Sequence, residues 1–247
     1  MEIVHIDSII NLGVPHVVEN IFASLETSDL IQCLKVSETW KVMAEKILHL
    51  KWKGKLLEAC ATGKTEITEI LLDNLENSDK VNAINENINA KNKFGWTAFM
   101  GACGHGHKDV VKLLLNHKRC ENIDVNAKTV YGETSLHWAC SRNGDKDIVK
   151  LLLEHPRSEN ININAKNNFG WTPFMVACGH GHKDVVKLLL DHPRSVNIDI
   201  NAKNNLGESA YCIANRRHPT EISNLLKRYP EYHLADYLQN ISTLLNY

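Results

Sequence analysis

Apolar residues return with a long, fixed period along most of the chain. The block Val-Val-Lys-Leu-Leu-Leu at 110–115 is repeated at 185–190, and as Ile-Val-Lys-Leu-Leu-Leu at 148–153, so the intervals are 38 and 37 residues. Within each block the apolar positions fall on one face of an α-helix, such as 108–116. A shorter apolar segment with an Ala-Cys pair precedes each block. The pattern predicts pairs of short helices that bury their apolar faces only by stacking on neighbouring pairs.

Polar segments separate the helix pairs and carry a repeat of their own. The triplet Asn-Ala-Lys occurs at 89–91, 126–128, 164–166 and 201–203, and a glycine follows each triplet four residues later. Glycine adopts positive φ without strain, so each segment is predicted to form a hairpin turn. Two residues after each glycine a Thr or Ser is placed to cap the next helix, and Pro173 suits the first turn of one of them.

The repeat also gives the extent of the array. Residues 91–128 and 166–203 are identical at 30 of 38 positions, which identifies an internal duplication. We expect about five units, of which the divergent first and last act as caps, and a tail or capping helix at 236–247. The predicted bounds of the units are 51–85, 86–125, 126–163, 164–200 and 201–235.

Residues 1–50 lack the repeat and form a separate predicted module. Pro15 is suited to open a helix, Ser28 or Asp29 to cap a second, and Ser37 to cap a third. Three short helices of this size cannot enclose a stable core alone. The module must therefore pack against the array or against a partner.

Composition narrows the classes of function. The chain has 247 residues, 43% of them hydrophobic, and a net charge of -1 with a pI near 6.9. This overall composition does not favour a protein that binds nucleic acid or a membrane surface, nor a disordered chain. Residues 1–50 carry three Lys and seven acidic residues (3 − 7 = −4), which leaves +3 for the remainder. The seven cysteines include no C-x-x-C pair, and we find neither a signal peptide nor an apolar run of about 20 residues. We expect a cytoplasmic or nuclear protein with reduced thiols.

The repeat resembles a known family. The stretch 170–190, Gly-Trp-Thr-Pro-Phe-Met-Val-Ala-Cys-Gly-His-Gly-His-Lys-Asp-Val-Val-Lys-Leu-Leu-Leu, is similar to the ankyrin repeat, and 134–137 is similar to that family's Thr-Pro-Leu-His motif. The resemblance implies an all-α dominated solenoid of helix–turn–helix units with β-hairpin loops. The usual period is about 33 residues, so the loops after the second helices, such as 192–199, are expected to be longer than usual.

The N-terminal module resembles the F-box over about 12–48. It keeps that family's order of Pro, Ile-Phe, Leu, Asp-Leu, Val-Ser and Trp, with Val14 in place of the usual Leu and Glu38 where a basic residue is common. The resemblance implies docking on the Skp-family adaptor of a cullin–RING ubiquitin ligase, with Ile21, Phe22 and Leu30 inserted between adaptor helices. The predicted adaptor contacts are Pro15, Val18, Ile21, Phe22, Leu25, Leu30, Val36 and Trp40.

Together the two resemblances imply a substrate receptor of an SCF-type ubiquitin ligase, whose repeats capture a protein substrate on their concave face. The alternative is an ankyrin scaffold or inhibitor in which the N-terminal helices act only as a cap. Exposed hairpin aromatics are favoured as anchors, although one ring of each Phe-Trp pair can instead pack between neighbouring hairpins. The predicted substrate contacts are Lys93, Phe94, Trp96, His105, Tyr131, Glu133, Arg142, Phe169, Trp171 and His180.

Catalysis is not expected. Cys103 with His105 and His107 suggests zinc, but a buried small-residue position and a Gly-His turn explain these residues better. Residues 63–65 end like a phosphate-binding loop, yet position 58 is Glu rather than Gly and a helix precedes them. We therefore expect no catalytic residue, no metal and no cofactor.

Overall fold

The structure, a computed structural model, describes residues 15–52, 55–73, 88–141, 144–218 and 220–229. It gives no side-chain description for 15–18. The predictions for the Pro15 and Val18 side chains, for Arg142 and for 236–247 therefore lie outside what the structure describes.

Three helices form the N-terminal module: α1 (Pro15–Ser24), α2 (Thr27–Cys33) and α3 (Glu38–Trp52). Helix α1 begins at Pro15, as predicted. The Ser37 hydroxyl accepts a hydrogen bond from the Trp40 amide at 3.3 Å, which confirms it as a cap. The predicted start of α2 at Ser28 or Asp29 is wrong, because the helix already begins at Thr27 without a side-chain cap.

Ten further helices form five pairs along the rest of the described chain. The first members of the pairs stack on one another as an inner layer, and the second members stack as an outer layer. The pairs are α4 (Leu56–Ala61) with α5 (Thr65–Asp73), α6 (Ala98–His105) with α7 (Lys108–Asn116), α8 (Ser135–Ser141) with α9 (Lys146–Glu154), α10 (Pro173–His180) with α11 (Lys183–Asp191), and α12 (Ala210–Arg217) with α13 (Ile222–Leu226).

Local sequence explains where the inner helices begin and end. The hydroxyls of Thr97, Thr172 and Ser209 accept hydrogen bonds from the backbone three residues ahead, as predicted for caps. Gly106 and Gly181 end their helices with φ of 83° and 78°, a conformation that costs other residues energy.

Histidines fasten successive units at these glycine turns. The His182 Nε2 lies 2.6 Å from the Ser141 carbonyl oxygen of the preceding unit. A Cβ on Gly144 would lie 2.3 Å from the His182 ring, so only glycine leaves room for this contact. His107 makes the equivalent bond to the Ala61 carbonyl at 3.0 Å.

The polar segments between pairs form narrow turns, which we call fingers, at 89–97, 126–134, 164–172 and 201–209. In the finger at 89–97 the Asn92 amide donates to the Trp96 carbonyl and the Gly95 amide donates to the Asn92 carbonyl. The same two bonds recur in the other three fingers. The described residues contain no β-strand. The two arms of each finger are too short to form more than the bonds that close the turn. The predicted hairpins are thus present as turns, and the all-α solenoid is confirmed.

The long loops after the outer helices are ordered by short 3-10 helices at Lys118–Cys120, Pro156–Ser158 and Pro193–Asn197. The Arg194 guanidinium donates to four carbonyl oxygens of the preceding unit, one at the end of α9 and three in the loop that follows it, among them Glu159 at 2.9 Å. The residues in excess of the usual period therefore tie one unit to the next.

One continuous apolar core runs from Phe22 in α1 to Leu226 in α13. Helix α3 packs against α5 and so continues the outer layer. The N-terminal module and the array are parts of one stack.

Candidate protein-binding surface

The four fingers are held side by side by their backbones. The Val130 amide donates to the Phe94 carbonyl at 3.0 Å, and the Asn168 amide donates to the Tyr131 carbonyl at 2.9 Å. The Asn205 amide does the same to Phe169 at 3.0 Å. Equivalent residues of successive fingers therefore lie in rows.

The residue before each finger glycine is apolar and exposed. Phe94, Tyr131, Phe169 and Leu206 have relative exposures of 49, 54, 60 and 81%. We call these four residues the finger-tip row. Large apolar side chains lined up in solvent mark an interaction site more strongly than scattered ones.

A row of lysines accompanies the finger-tip row. The ammonium groups of Lys91, Lys128 and Lys166 each donate to the backbone carbonyl of the lysine in the next finger, at 3.0, 3.1 and 2.9 Å. The Lys93 ammonium lies 5.0 Å from the centre of the Phe94 ring. These bonds hold three of the positive charges in a line across the fingers.

The two finger tryptophans differ from the finger-tip row, because they lean inward. The Trp96 ring packs against Trp138 of α8, with ring centres 4.3 Å apart. The Trp171 ring lies 5.5 Å beneath the Arg217 guanidinium. Both indoles are half-buried, so the phenylalanine of each pair is the freer ring.

A glycine on an inner helix makes room for one of these rings. A Cβ on Gly179 would lie 2.8 Å from Trp171, whereas one on Gly104 would lie 3.5 Å from Trp96, an ordinary contact distance. Each tryptophan therefore rests on the inner helix of its own unit, where it supports the finger.

The remaining predicted contacts are placed near this surface. His105 and His180 are exposed at the ends of α6 and α10, and the Nδ1 of each lies 2.9 Å from a carbonyl oxygen of its own helix. Glu133 takes the finger position of Trp96 and Trp171, is half-buried, and burial raises the pKa of its carboxyl.

The cysteines of the four Ala-Cys pairs belong to the core. Cys60, Cys103, Cys140 and Cys178 are buried at one packing position of successive inner helices. Burial raises the pKa of each thiol, to about 12 for Cys60. Among the described residues, no three His, Cys, Asp or Glu side chains are grouped as metal ligands.

The N-terminal module corrects part of the predicted adaptor site. Phe22, Leu30 and Trp40 are buried inside the module, and the rings of Phe22 and Trp40 meet edge to face at 5.4 Å. As direct docking contacts these three predictions are wrong, because their side chains already fill the core. Ile21 and Leu25 are half-buried.

Exposed apolar residues do occur on this module. They lie on the side of α3 that faces away from its buried residues. Val42 and Leu50 are 59 and 60% exposed, and the half-buried His49 lies with them around a shallow pocket. The predicted contact Val36 is also exposed, just before α3. We call Val42 and Leu50 the α3 face.

Comparison with known families decides the identity of the array. A family model described as "Ankyrin repeats (3 copies)" matches residues 56–167 and 142–236, which is more than half of the chain. The chain belongs to the ankyrin-repeat family. No F-box family model matches the N-terminal module, and no individual curated protein matches the chain.

Ankyrin repeats bind proteins, so the array has a protein-binding role. The finger-tip row contains three of the predicted contacts, Phe94, Tyr131 and Phe169. Leu206 was missed because it is not aromatic, although its place before the repeated glycine marks it as equivalent. None of the described helices is both long and apolar enough to cross a membrane.

Proposed function

We propose that this ankyrin-repeat protein is a non-catalytic substrate receptor of a cullin–RING ubiquitin ligase. The N-terminal module docks on the Skp-family adaptor, and the finger surface captures a protein substrate. The observation that carries the proposal is the presence of two separate exposed apolar surfaces, the α3 face and the finger-tip row. A receptor that joins two proteins needs two such surfaces.

The α3 face has the character of a helix-in-groove contact. Val42 and Leu50 are eight residues apart on one helix, so they point to the same side. Lys46 between them pairs with Glu19 of α1, which leaves the apolar ends of the stripe to a partner. The buried Phe22, Leu30 and Trp40 support this function indirectly, because they set the packing of α1 and α2 against α3.

The order of F-box-like residues in 12–48 supports the identity of the adaptor. Three helices form where that resemblance implies them, and the module carries an excess of acidic residues. The identity of the substrate is not implied by the fold, because repeat surfaces of one architecture bind unrelated proteins.

The alternative of a scaffold or inhibitor with an N-terminal cap also has a specific observation in its favour. The Trp52 ring at the end of α3 is flanked by the ammonium groups of Lys55 and Lys64 at 5.6 and 5.5 Å, and its indole N–H donates to Thr27. Trp52 thus joins the module to the first repeat unit, as a cap would.

Binding to the purified Skp-family adaptor distinguishes the two functions. We expect the full chain to bind, and the double variant Val42→Asp/Leu50→Asp to lose about 2 kcal/mol or more of binding free energy, as central contacts do. The matched control is Val130→Asp, an equally exposed valine on a finger, which should bind the adaptor like the wild type. No binding by the wild type, or equal binding by the double variant, would refute the receptor function and favour the cap.

A further inference from the structure

The spacing of the finger-tip row follows from the packing beneath it. The fingers belong to helix pairs that stack side by side, and packed helices lie about 8–10 Å apart. The bonds from Val130 to Phe94 and from Asn205 to Phe169 keep neighbouring fingers in register. Four tips at this interval span about 25–30 Å.

An α-helix fits that interval better than an extended chain. Seven residues of helix rise about 10.5 Å and complete nearly two turns, so every seventh side chain returns to the same face. An extended strand rises about 3.3 Å per residue and alternates its sides, so the side chain about 10 Å further along points the opposite way. A helix with one apolar residue per heptad can therefore meet each tip in turn.

The charge of the fingers determines which residues should flank the apolar stripe of such a helix. The four fingers contain five lysines and two acidic residues, Glu133 and Glu208. Both glutamates are half-buried and Glu208 pairs with Arg216 at 2.6 Å, so the lysines dominate the exposed charge of the fingers. Three of these lysines are held in line by their bonds to the next finger. Acidic residues on a partner would complement this row and discourage basic partners.

We propose that the finger-tip row binds an acidic amphipathic α-helix of the substrate, at least about 22 residues long, whose apolar residues recur every seven positions. This inference rests on the proposed capture of a protein by the array. A single-stranded nucleic acid also binds to lysines and stacks its bases on aromatic rings, but Leu206 offers no ring on which a base could stack.

Binding of stapled helical peptides to the full chain tests the proposal. The probe peptide has four heptads with Leu at one position of each and Glu on both flanks. Two control peptides keep its length: one spreads the same leucines around the helix, and the other replaces Glu by Lys. We expect the probe to bind at least tenfold more tightly than either control.

Protein variants locate the binding on the tips. Phe94→Ser/Phe169→Ser should weaken binding of the probe peptide at least tenfold, whereas Glu69→Ser/Lys112→Ser, at exposed positions of the outer helices α5 and α7 and with no change in net charge, should leave it unchanged. Circular dichroism of each variant shows whether the fold is retained. We expect it to be retained, because the substituted side chains lie in solvent and not in the core. Equal affinity for the probe and the spread-leucine peptide, or no effect of the tip variant, overturns the proposal. So does tighter binding of oligo(dT) than of the probe peptide.

Failure of this proposal differs from failure of the receptor function. If the peptides do not bind while the wild-type protein still binds the adaptor and captures cellular proteins through its finger tips, only the helical class of the partner is wrong. If adaptor binding fails while the peptides bind as expected, the ubiquitin-ligase function is wrong and the class of the partner stands.

Discussion

At the scale of single residues, His137 shows how burial assigns a structural function to a group that often does chemistry. Its Nδ1 lies 2.9 Å from the Thr134 hydroxyl, and its Nε2 lies 3.0 Å from the Trp171 carbonyl of the next finger. Burial lowers the pKa of the imidazole from 6.5 to about 4. The ring therefore stays neutral at physiological pH and ties α8 to the following unit.

This pKa predicts a loss of stability in acid. Between pH 6.5 and about 4 the unfolded chain binds a proton at His137 that the folded chain does not bind, so the stabilisation is complete above pH 6.5 and falls as the pH drops. The loss attributable to His137 approaches roughly 3 kcal/mol near pH 4. Urea unfolding across this range should show a shallower pH slope for His137→Gln than for the wild type. Parallel curves for the two proteins would contradict the assignment.

The prediction of single residues failed where an apolar side chain could belong either to the core or to a docking surface. Phe22 and Leu30 occur at helical spacing in the N-terminal module, and this pattern is the same for a core residue and for a docking contact. The sequence does not show which side of α1 and α2 faces α3, so the structure was needed to place them in the core. Trp96 was ambiguous for the same reason, and Trp138, which covers it, lies about 40 residues later in the chain.

At the scale of elements, the long loops are the feature that distinguishes this array from repeats of the usual period. Each begins with a histidine whose Nδ1 accepts the amide two residues on, as His192 does from Arg194 at 3.2 Å. The Arg194 side chain then reaches back to the preceding unit, where it donates to the Leu153 carbonyl at the end of α9 and to the Ser158, Glu159 and Ile161 carbonyls of the loop. The loop is thereby an inter-unit clamp.

Replacing the arginine of this clamp should weaken the array locally. Arg194→Met keeps most of the apolar stem but removes every donor, so we expect a loss of about 1–3 kcal/mol and faster proteolysis in the preceding loop. The control Lys150→Met removes only an exposed pair with Glu154 at 3.9 Å, which is worth about 0.5 kcal/mol. Equal urea midpoints for the two variants would show that the clamp bonds do not stabilise the array.

Elements with strong periodicity were predicted well. Lys108–Asn116 is found as α7 with the predicted bounds, and the predicted caps Thr97 and Thr172 are in place. The finger strands were not found, because turn residues predict a reversal of the chain but not arms long enough to pair. The 3-10 helices of the loops were not predicted, because bonds as short in range as that from the Ser158 amide to the His155 carbonyl leave no apolar period in the sequence.

At the scale of the whole molecule, one core passes through the N-terminal module and the array, and two apolar surfaces lie outside it. The net charge of -1 averages an acidic N-terminal module and lysine-bearing fingers. The central claim is that these surfaces bind different proteins independently.

Affinity capture from cells tests that claim most directly, with the adaptor and all other co-captured proteins quantified in the same sample. The three proteins to compare are the wild type, Val42→Asp/Leu50→Asp on the α3 face and Phe94→Ser/Phe169→Ser on the finger-tip row. We predict that the first variant loses the Skp-family adaptor together with the ligase subunits bound through it but keeps the remaining partners, and that the second keeps the adaptor and those subunits but loses the remaining partners. The account is contradicted if either variant loses both the adaptor and the remaining partners. It is also contradicted if both variants keep both.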